Sequence, residues 1–135
     1  MPIITDKIEL QTNCSNPTLW LSNVEKIGSD AFSCQLWVHS GPFTCETSFC
    51  FDTYSLVEAI ASFQHMIDGS PGEATIRYRH EPGFIRFKMN QLGHVIVNGE
   101  LFDLGLPQQM LKFAFQTDQT VLAPLVRDLS SIRNG

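Results

Sequence analysis

Residues 31–51, AFSCQLWVHSGPFTCETSFCF, hold the clearest structural pattern in the chain. Apolar and polar side chains alternate over residues 31–39 and again over residues 43–51, with Ser-Gly-Pro between the two runs. A period of two is typical of a β-strand that buries one face, because successive side chains point to opposite sides. The two runs and the break between them predict a β-hairpin.

An amphipathic helix is predicted directly after this hairpin. Four apolar residues are spaced four, three and four positions apart, which places them on one helix face: Leu56, Ile60, Phe63 and Ile67. A capping box starts at Ser55, although Asp52 or Thr53 would cap the helix one turn earlier. Gly69 predicts the C-terminal end of this helix.

Further alternating runs lie on both sides of these elements. Residues 8–11 and 18–25 predict two earlier strands. After the helix, four runs joined by short polar turns predict an antiparallel meander over residues 74–79, 85–90, 94–101 and 111–116. A second amphipathic helix is predicted over residues 121–132, with Asp118 as the candidate N-cap. Pro124 in its second turn predicts a kink or a later start.

The order of strands, helix, strands and helix predicts an α+β fold. We expect an antiparallel β-sheet or sandwich of about seven to eight strands in two blocks, the second a four-stranded meander, with two amphipathic helices. The sequence shows no internal repeat, low-complexity tract or linker. Residues 1–135 are therefore predicted to form a single globular domain, long enough to bury a core of its own.

The composition argues against several classes of protein. Nine basic residues against 14 acidic ones give a net charge of −5, which disfavours nucleic acid as a partner. No apolar stretch approaches the roughly 20 residues of a membrane span, and residues 1–7 predict no secretory signal. The four cysteines, Cys14, Cys34, Cys45 and Cys50, form no C-x-x-C pair. We expect reduced thiols and a cytoplasmic location.

Motifs for catalysis or metal binding are not found in the sequence. It has no phosphate-binding glycine loop and no G-x-S-x-G elbow, and its four histidines lack the spacing of metal ligands. The chain contains both cysteine and histidine, so a Cys–His nucleophile that uses Cys50 is possible, but no residue flanking Cys50 would lower the pKa of its thiol. We therefore predict no catalytic residue, no metal and no cofactor.

The second β block carries a candidate binding surface. If the arms around Pro82-Gly83 share their apolar face, the number of loop residues is even, and Arg79 lies opposite Arg86 with Arg77 opposite Lys88. Four of the nine basic residues then form one patch, which would dock an acidic protein segment or an anionic ligand. The alternative is a solvated face tempered by neighbouring acidic residues, which would contribute little to stability.

Three more residues are candidate contacts. Trp37 lies on the polar phase of its strand, where an exposed tryptophan would suit an interface, although it would also suit packing under a helix. Gln119 and Thr120 stand at the start of the last helix and are candidate exposed recognition residues. The alternative for both is a purely structural role in the strand-to-helix cap.

The whole layout resembles a known family. The first helix ending in Asp68-Gly69, the Glu81-Pro82 turn, the Gly93-His94-Val95 strand start and the Thr-Asp-Gln-Thr segment at 117–120 carry the resemblance. The chain looks like the small bacterial proteins similar to WapI-type immunity proteins of polymorphic toxin systems. This resemblance implies a cytoplasmic bacterial protein that acts by binding rather than by chemistry.

Two functional hypotheses follow. The first is a non-enzymatic, immunity-like module that binds another protein, with an exposed patch or groove. The second is a small-molecule-binding or enzymatic domain with a pocket between the sheet and a helix, where a few polar groups converge. Either would be compatible with a monomer or with a homodimer formed through an exposed β edge.

Overall fold

The computed structural model describes residues 3–12, 15–80 and 82–133, so Cys14 and Glu81 lie outside the described residues. Eight strands and two helices follow one another in the order β1 (Ile3–Glu9), β2 (Thr18–Ile27), β3 (Ala31–Ser40), β4 (Phe43–Asp52), α1 (Thr53–Ile67), β5 (Gly72–Arg77), β6 (Phe84–Met89), β7 (His94–Asp103), β8 (Gln109–Asp118) and α2 (Leu122–Arg133). A short 3-10 turn, Gln119–Val121, leads into α2.

The strands form two open antiparallel sheets of four strands each. Sheet A has the order β1-β2-β3-β4, and sheet B has the order β5-β6-β7-β8. Both sheets are meanders, because every strand pairs with its neighbour in sequence. The predicted α+β class, the number of strands and the two helices are confirmed.

One continuous core lies between the inner faces of the sheets and the helices. Each helix contributes five buried residues to it, and each packs against the first strand of the other block: α1 on β5 and α2 on β1. The two helices also pack against each other. Seven of the ten phenylalanines are buried, including Phe63 of α1, whose ring meets Phe87 of β6 edge to face at 5.0 Å.

The two halves repeat the same ββββα unit, although the sequence shows no repeat. Asp52 ends β4 and caps α1, and Asp118, 66 positions later, ends β8 and caps the turn into α2. The five buried residues of α1 and the five of α2 also lie 66 positions apart, from Leu56 and Leu122 onwards. The two halves therefore share one pattern of burial, while the residues that fill it differ.

The helix starts settle the alternatives left by the sequence. Asp52 is the N-cap of α1, since its carboxylate accepts the main-chain N–H of Ser55 at 2.7 Å. The capping box predicted to start at Ser55 is thus replaced by the earlier cap. Pro124 lies in the first turn of α2, because the 3-10 turn delays the start of that helix to Leu122.

The predicted pairing of β5 with β6 is wrong, although the predicted phase is right. Arg86 lies opposite Thr75, and Lys88 lies opposite Glu73, so neither faces another cation. The connection runs from residue 78 to 83, closed by the main-chain N–H of Tyr78 donating to the carbonyl of Gly83 at 3.0 Å. The loop length remains even, so the apolar side chains still share the inner face.

Candidate functional site

The outer face of sheet B carries most of the predicted basic patch. Arg77, Arg86 and Lys88 alternate with buried neighbours, so all three point away from the core, together with Lys112 of β8. Acidic side chains are interleaved with them: Glu73 lies opposite Lys88, and Glu100 lies 3.9 Å from Lys112. The face is thus mixed in charge, as in the solvated alternative.

Arg79 does not belong to this face. It lies in the loop after β5, where its main-chain N–H donates to the carbonyl of Cys50 at 2.7 Å. Its guanidinium lies 3.5 Å from the carboxylate of Asp30 at the β2–β3 turn. Arg79 therefore links the β5–β6 loop to sheet A. The register predicted from the sequence had instead placed Arg79 within the strand, opposite Arg86.

Arg86 is the most enclosed of the patch residues. Its guanidinium lies over the ring of Phe84 at 4.7 Å, in a cation–π contact. Its Nε is buried without a hydrogen-bond partner among the described residues. This residue is fixed by packing along its strand, so it contributes to the patch as a positioned charge.

A cleft of about 490 Å³ lies between the first half of α1 and strand β5. Arg77 and Arg79 reach it from one side, and the carboxylates of Asp52, Glu58 and Glu73 line it as well. The cleft is open to solvent rather than enclosed. A hydrogen bond with Glu58 raises the pKa of the Tyr54 hydroxyl at its rim, so this phenol stays protonated at neutral pH.

Trp37 is half-buried on the outer face of sheet A, and it is not covered by a helix. Its ring is stacked on Trp20 of β2, with centroids 5.5 Å apart and planes within 6°. The indole N–H donates to the hydroxyl of Ser22 at 2.9 Å. The ring of His39 meets Trp20 edge-on at 5.0 Å, so three aromatic side chains cluster on this face.

Gln119 is half-buried, so the exposure predicted for it is wrong. Its side-chain amide donates to the main-chain carbonyls of Met66 and Ile67, both at 3.2 Å, at the end of α1. Thr120 is exposed, and both its main-chain N–H and its hydroxyl donate to the carboxylate of Asp118. Thr120 thus matches the capping alternative, whereas the side chain of Gln119 has a structural role at the end of α1 that was not predicted. No contact to a ligand is needed to explain either side chain.

The thiols are poorly suited to nucleophilic catalysis. Cys34, Cys45 and Cys50 are free cysteines. Burial raises the pKa of the Cys34 thiol to about 12. Burial also raises the pKa of Cys50, an effect that the neighbouring Arg79 opposes. Since the thiolate is the reactive form, the raised pKa values keep these thiols mostly protonated and lower their reactivity at neutral pH.

Metal binding and membrane crossing are two further possibilities for residues 3–12, 15–80 and 82–133. No group of three or more His, Cys, Asp or Glu side chains there is placed to hold a metal ion. Neither helix in that part of the chain is long and apolar enough to cross a membrane.

The family model of the WapI-like immunity proteins matches residues 8–134, nearly the whole chain. The chain belongs to the WapI-like immunity protein family. The resemblance predicted from the sequence is thereby confirmed. A search among curated proteins finds no significant match to this WapI-like protein.

The WapI-like protein also shares its fold with a solved structure of Trypanosoma bruciei MRP1/MRP2. The TM-score is 0.54 at 10% sequence identity, covering 99% of this chain and 86% of the other. At this identity the likeness concerns the arrangement of strands and helices alone.

Sequence reasoning about the WapI-like protein missed Trp20 as the partner of Trp37. A signal was present, because Trp20 stands between the apolar Leu19 and Leu21 and so shares the polar phase of its strand. The register that places Trp20 beside Trp37 depends on how β2 pairs with β3, which the alternation alone does not give.

Proposed function

We propose that this protein is an immunity module that neutralises a toxin by binding it, without chemistry of its own, in the bacterial cytoplasm. The observation that carries the proposal is the match of residues 8–134 to the WapI-like immunity family. An immunity protein of this kind needs a surface complementary to its toxin and a fold rigid enough to present that surface. The partner is accordingly another protein rather than a nucleic acid or a membrane.

The form of the molecule supports binding over catalysis. Its two sheets each keep an open outer face, and the cleft beside α1 is open to solvent. The thiols of Cys34 and Cys50 are held protonated, which removes the best nucleophile candidates at neutral pH. Broad open faces suit a protein partner, whereas small-molecule sites are usually concave and enclose most of the ligand.

We propose that the outer face of sheet B is a docking surface for an acidic segment of the partner. Arg77, Arg86 and Lys88 supply charges there, and Arg86 is held in place over Phe84. Because Glu73 and Glu100 temper the face, we propose that it contributes specificity and association rate more than affinity. A paired Arg86→Ala and Lys88→Ala change tests this contribution, with Arg127→Ala at an exposed position of α2 as the control.

The decisive experiment tests each toxin-like domain that is found encoded next to the gene of this protein. The two proteins are mixed at defined ratios, and both complex formation and residual toxicity are measured. We expect a stable complex and protection that is complete only at a stoichiometric ratio. Absence of a complex would overturn the proposal, and protection at a small fraction of that ratio would indicate catalysis instead.

A second candidate function is favoured by the cleft between α1 and β5, which lies where a pocket between sheet and helix was predicted. It would take a small ligand with both charges, because Arg77 and the carboxylates of Glu58 and Glu73 line it. A screen of zwitterionic metabolites by thermal shift tests this function. A hit abolished by Arg77→Ala, together with no toxin complex, would favour it over immunity.

A further inference from the structure

Four side chains form a row across the outer face of sheet A, one from each strand. Glu9 of β1 lies opposite Trp20 of β2, Trp20 lies opposite Trp37 of β3, and Trp37 lies opposite Glu46 of β4. The tryptophan row, as we call these four residues, therefore places two stacked indoles between two carboxylates. Polar side chains, including Ser22, surround it on the same face.

One half of the tryptophan row already holds a cation from the chain itself. The ammonium of Lys7 lies 5.0 Å from the ring centre of Trp20, in the range of a cation–π contact. The same ammonium lies 3.7 Å from the carboxylate of Glu9. An indole and a carboxylate thus bind one positive charge together, at a site where both charged side chains are about half exposed.

The other half of the row has the same two groups but no cation. Trp37 supplies the indole and Glu46 supplies an exposed carboxylate directly across the strand pair. Within the part of the chain that the structure describes, no Lys or Arg forms an ion pair with Glu46 or lies over Trp37. Trp37 and Glu46 therefore correspond to Trp20 and Glu9, but among the described residues no side chain supplies the positive charge that Lys7 supplies to the first pair.

The fold itself does not require this pair of tryptophans. The two units can be aligned on their helix caps, because the first residue of β3 pairs with Asp52 and the first residue of β7 pairs with Asp118. Trp37 and Glu100 stand at the same distance along β3 and β7, so Glu100 is the counterpart of Trp37. Phe84, opposite Glu100, is then the counterpart of Trp20. Sheet B has the same arrangement of strands without stacked indoles. Packing of the ββββα unit therefore does not require the tryptophan row.

We propose that Trp37 and Glu46 receive an Arg or Lys side chain from a basic segment of the partner protein. The inference rests on the proposed function, since it names the chemistry of the contact that an immunity module would make. The carboxylate of Glu9 is already paired with Lys7, so the exposed carboxylate of Glu46 is the group that attracts a basic segment and repels an acidic one. It also repels the phosphates of a nucleic acid, in a protein of net charge −5.

This contact is distinct from the basic face of sheet B. The two surfaces lie on different sheets, and sheet B presents Arg77, Arg86 and Lys88 where the row presents Glu46, so they suit different segments of a partner. Tryptophan is enriched among the residues that dominate binding at protein interfaces, where a large ring and a polar edge both contribute. Trp37 is also pre-positioned, because its N–H is fixed to Ser22 and its ring to Trp20.

Intrinsic fluorescence tests the proposal directly, because Trp20 and Trp37 are the two tryptophans of the chain. A hexa-arginine peptide is titrated into the full-length protein, with a hexa-glutamate peptide as the charge control. We expect a saturable change in tryptophan emission with hexa-arginine only. A response to neither peptide, or to both equally, would overturn the proposal.

Matched variants separate the row from general attraction to an acidic protein. Glu46→Gln removes the carboxylate beside Trp37, while Glu25→Gln removes one from the same sheet, opposite Ser33 and about 13 Å along β3. We expect Glu46→Gln to weaken binding of hexa-arginine about tenfold and Glu25→Gln to leave it nearly unchanged. Equal losses in the two variants would mean non-specific attraction and would refute the site.

The toxin complex distinguishes failure of the site from failure of the proposed function. If wild-type protein binds the toxin domain and Glu46→Gln binds equally well, the site is refuted while the immunity function stands. If wild-type protein binds no toxin, the immunity function fails, and the peptide titration alone then decides whether the site takes a basic segment. Circular dichroism of each variant confirms that the fold is kept.

Discussion

The side-chain amide of Gln119 donates to the main-chain carbonyls of Met66 and Ile67, both at 3.2 Å. These carbonyls lie in the last turn of α1, where helix geometry leaves acceptors without partners inside the helix. Gln119 stands 53 residues beyond Met66, at the entry to the second helix, and its main-chain N–H donates to Gly93 at 3.0 Å. One residue therefore ties the end of the first ββββα unit to two parts of the second.

Replacing Gln119 by Ala is expected to destabilise the protein by about 1 kcal/mol, because the two carbonyls lose a partly buried donor. The free energy of unfolding is measured by urea denaturation. Gln116→Ala, at an exposed position of β8, is the control and is expected to change stability by less than about 0.5 kcal/mol. Equal effects at the two positions would show that the helix-end contact contributes nothing.

Gly99 is expected to tolerate no side chain. A Cβ at this position of β7 would lie 2.5 Å from the carbonyl oxygen of Phe84 and 2.8 Å from the ring of Phe113. Gly99→Ala should destabilise the protein by about 1–3 kcal/mol, because the backbone of β6 and the ring must move. Gly72→Ala, where nothing lies within 4 Å, is the matched control in β5. A stable Gly99→Ala protein with an unchanged melting temperature would contradict the close packing.

Asp118 is expected to make stability depend on pH in the acidic range. Hydrogen bonds from the side chain and main chain of Thr120 lower the pKa of Asp118 below its usual 3.8. Because the folded state then binds fewer protons than the unfolded state, this contribution is present above pH 3.8 and is lost as the pH falls through the folded-state pKa.

Asp118→Asn isolates the charge, since Asn is also a good N-cap residue. Stability at pH 7 should fall slightly, because the contribution of the ionised carboxylate is lost, and the fall in melting temperature between about pH 4 and pH 2 should become shallower. Thermal unfolding followed by circular dichroism across this range measures both quantities. An identical pH profile in the variant would assign the acid sensitivity to other carboxylates.

Cys34 is expected to resist thiol reagents until the protein unfolds. It is buried, and its pKa is raised to about 12, so almost no thiolate forms at pH 8. Single-cysteine variants that keep either Cys34 or half-buried Cys50 are labelled with Ellman's reagent. Cys34 should react at the rate of unfolding and Cys50 much faster, whereas fast labelling of Cys34 would mean that β3 opens locally.

The same thiol gives a prediction at alkaline pH. The folded-state pKa of Cys34 lies above its usual 9.0, so its contribution to stability is intact below pH 9 and is lost as the pH rises towards 12. Cys34→Ala should therefore show a smaller loss of stability between pH 9 and pH 11 than wild type. The comparison uses urea midpoints at each pH.

Several parts of the candidate site could be anticipated from the sequence. The alternation along Arg77, Arg86 and Lys88 correctly places all three on the outer face of sheet B. Trp37 likewise lies on the outer face of its strand. These predictions succeed because a side chain's face depends on a local period of two, which burial of one sheet face enforces over every strand.

Other parts depended on segments far apart in the chain. Arg79 reaches Asp30, and Trp37 stacks on Trp20, through contacts that no local pattern encodes. The β5–β6 register shifted because the chain between Arg77 and Phe84 forms a closed loop instead of a tight turn. Glu81, in the turn predicted at Glu81-Pro82, lies outside the described residues.

The amino-acid sequence by itself determined the elements, their order and the side of each that is buried. Hydrophobic periodicity is a local property, and it suffices to define a strand face or a helix face wherever water is excluded on one side. The tertiary structure alone decided the register of β5 with β6, the stacking of Trp20 on Trp37 and the hydrogen bonds of Gln119 to the end of α1. Those choices depend on loop conformation and on the packing of distant surfaces, which become definite once both ββββα units close around one core.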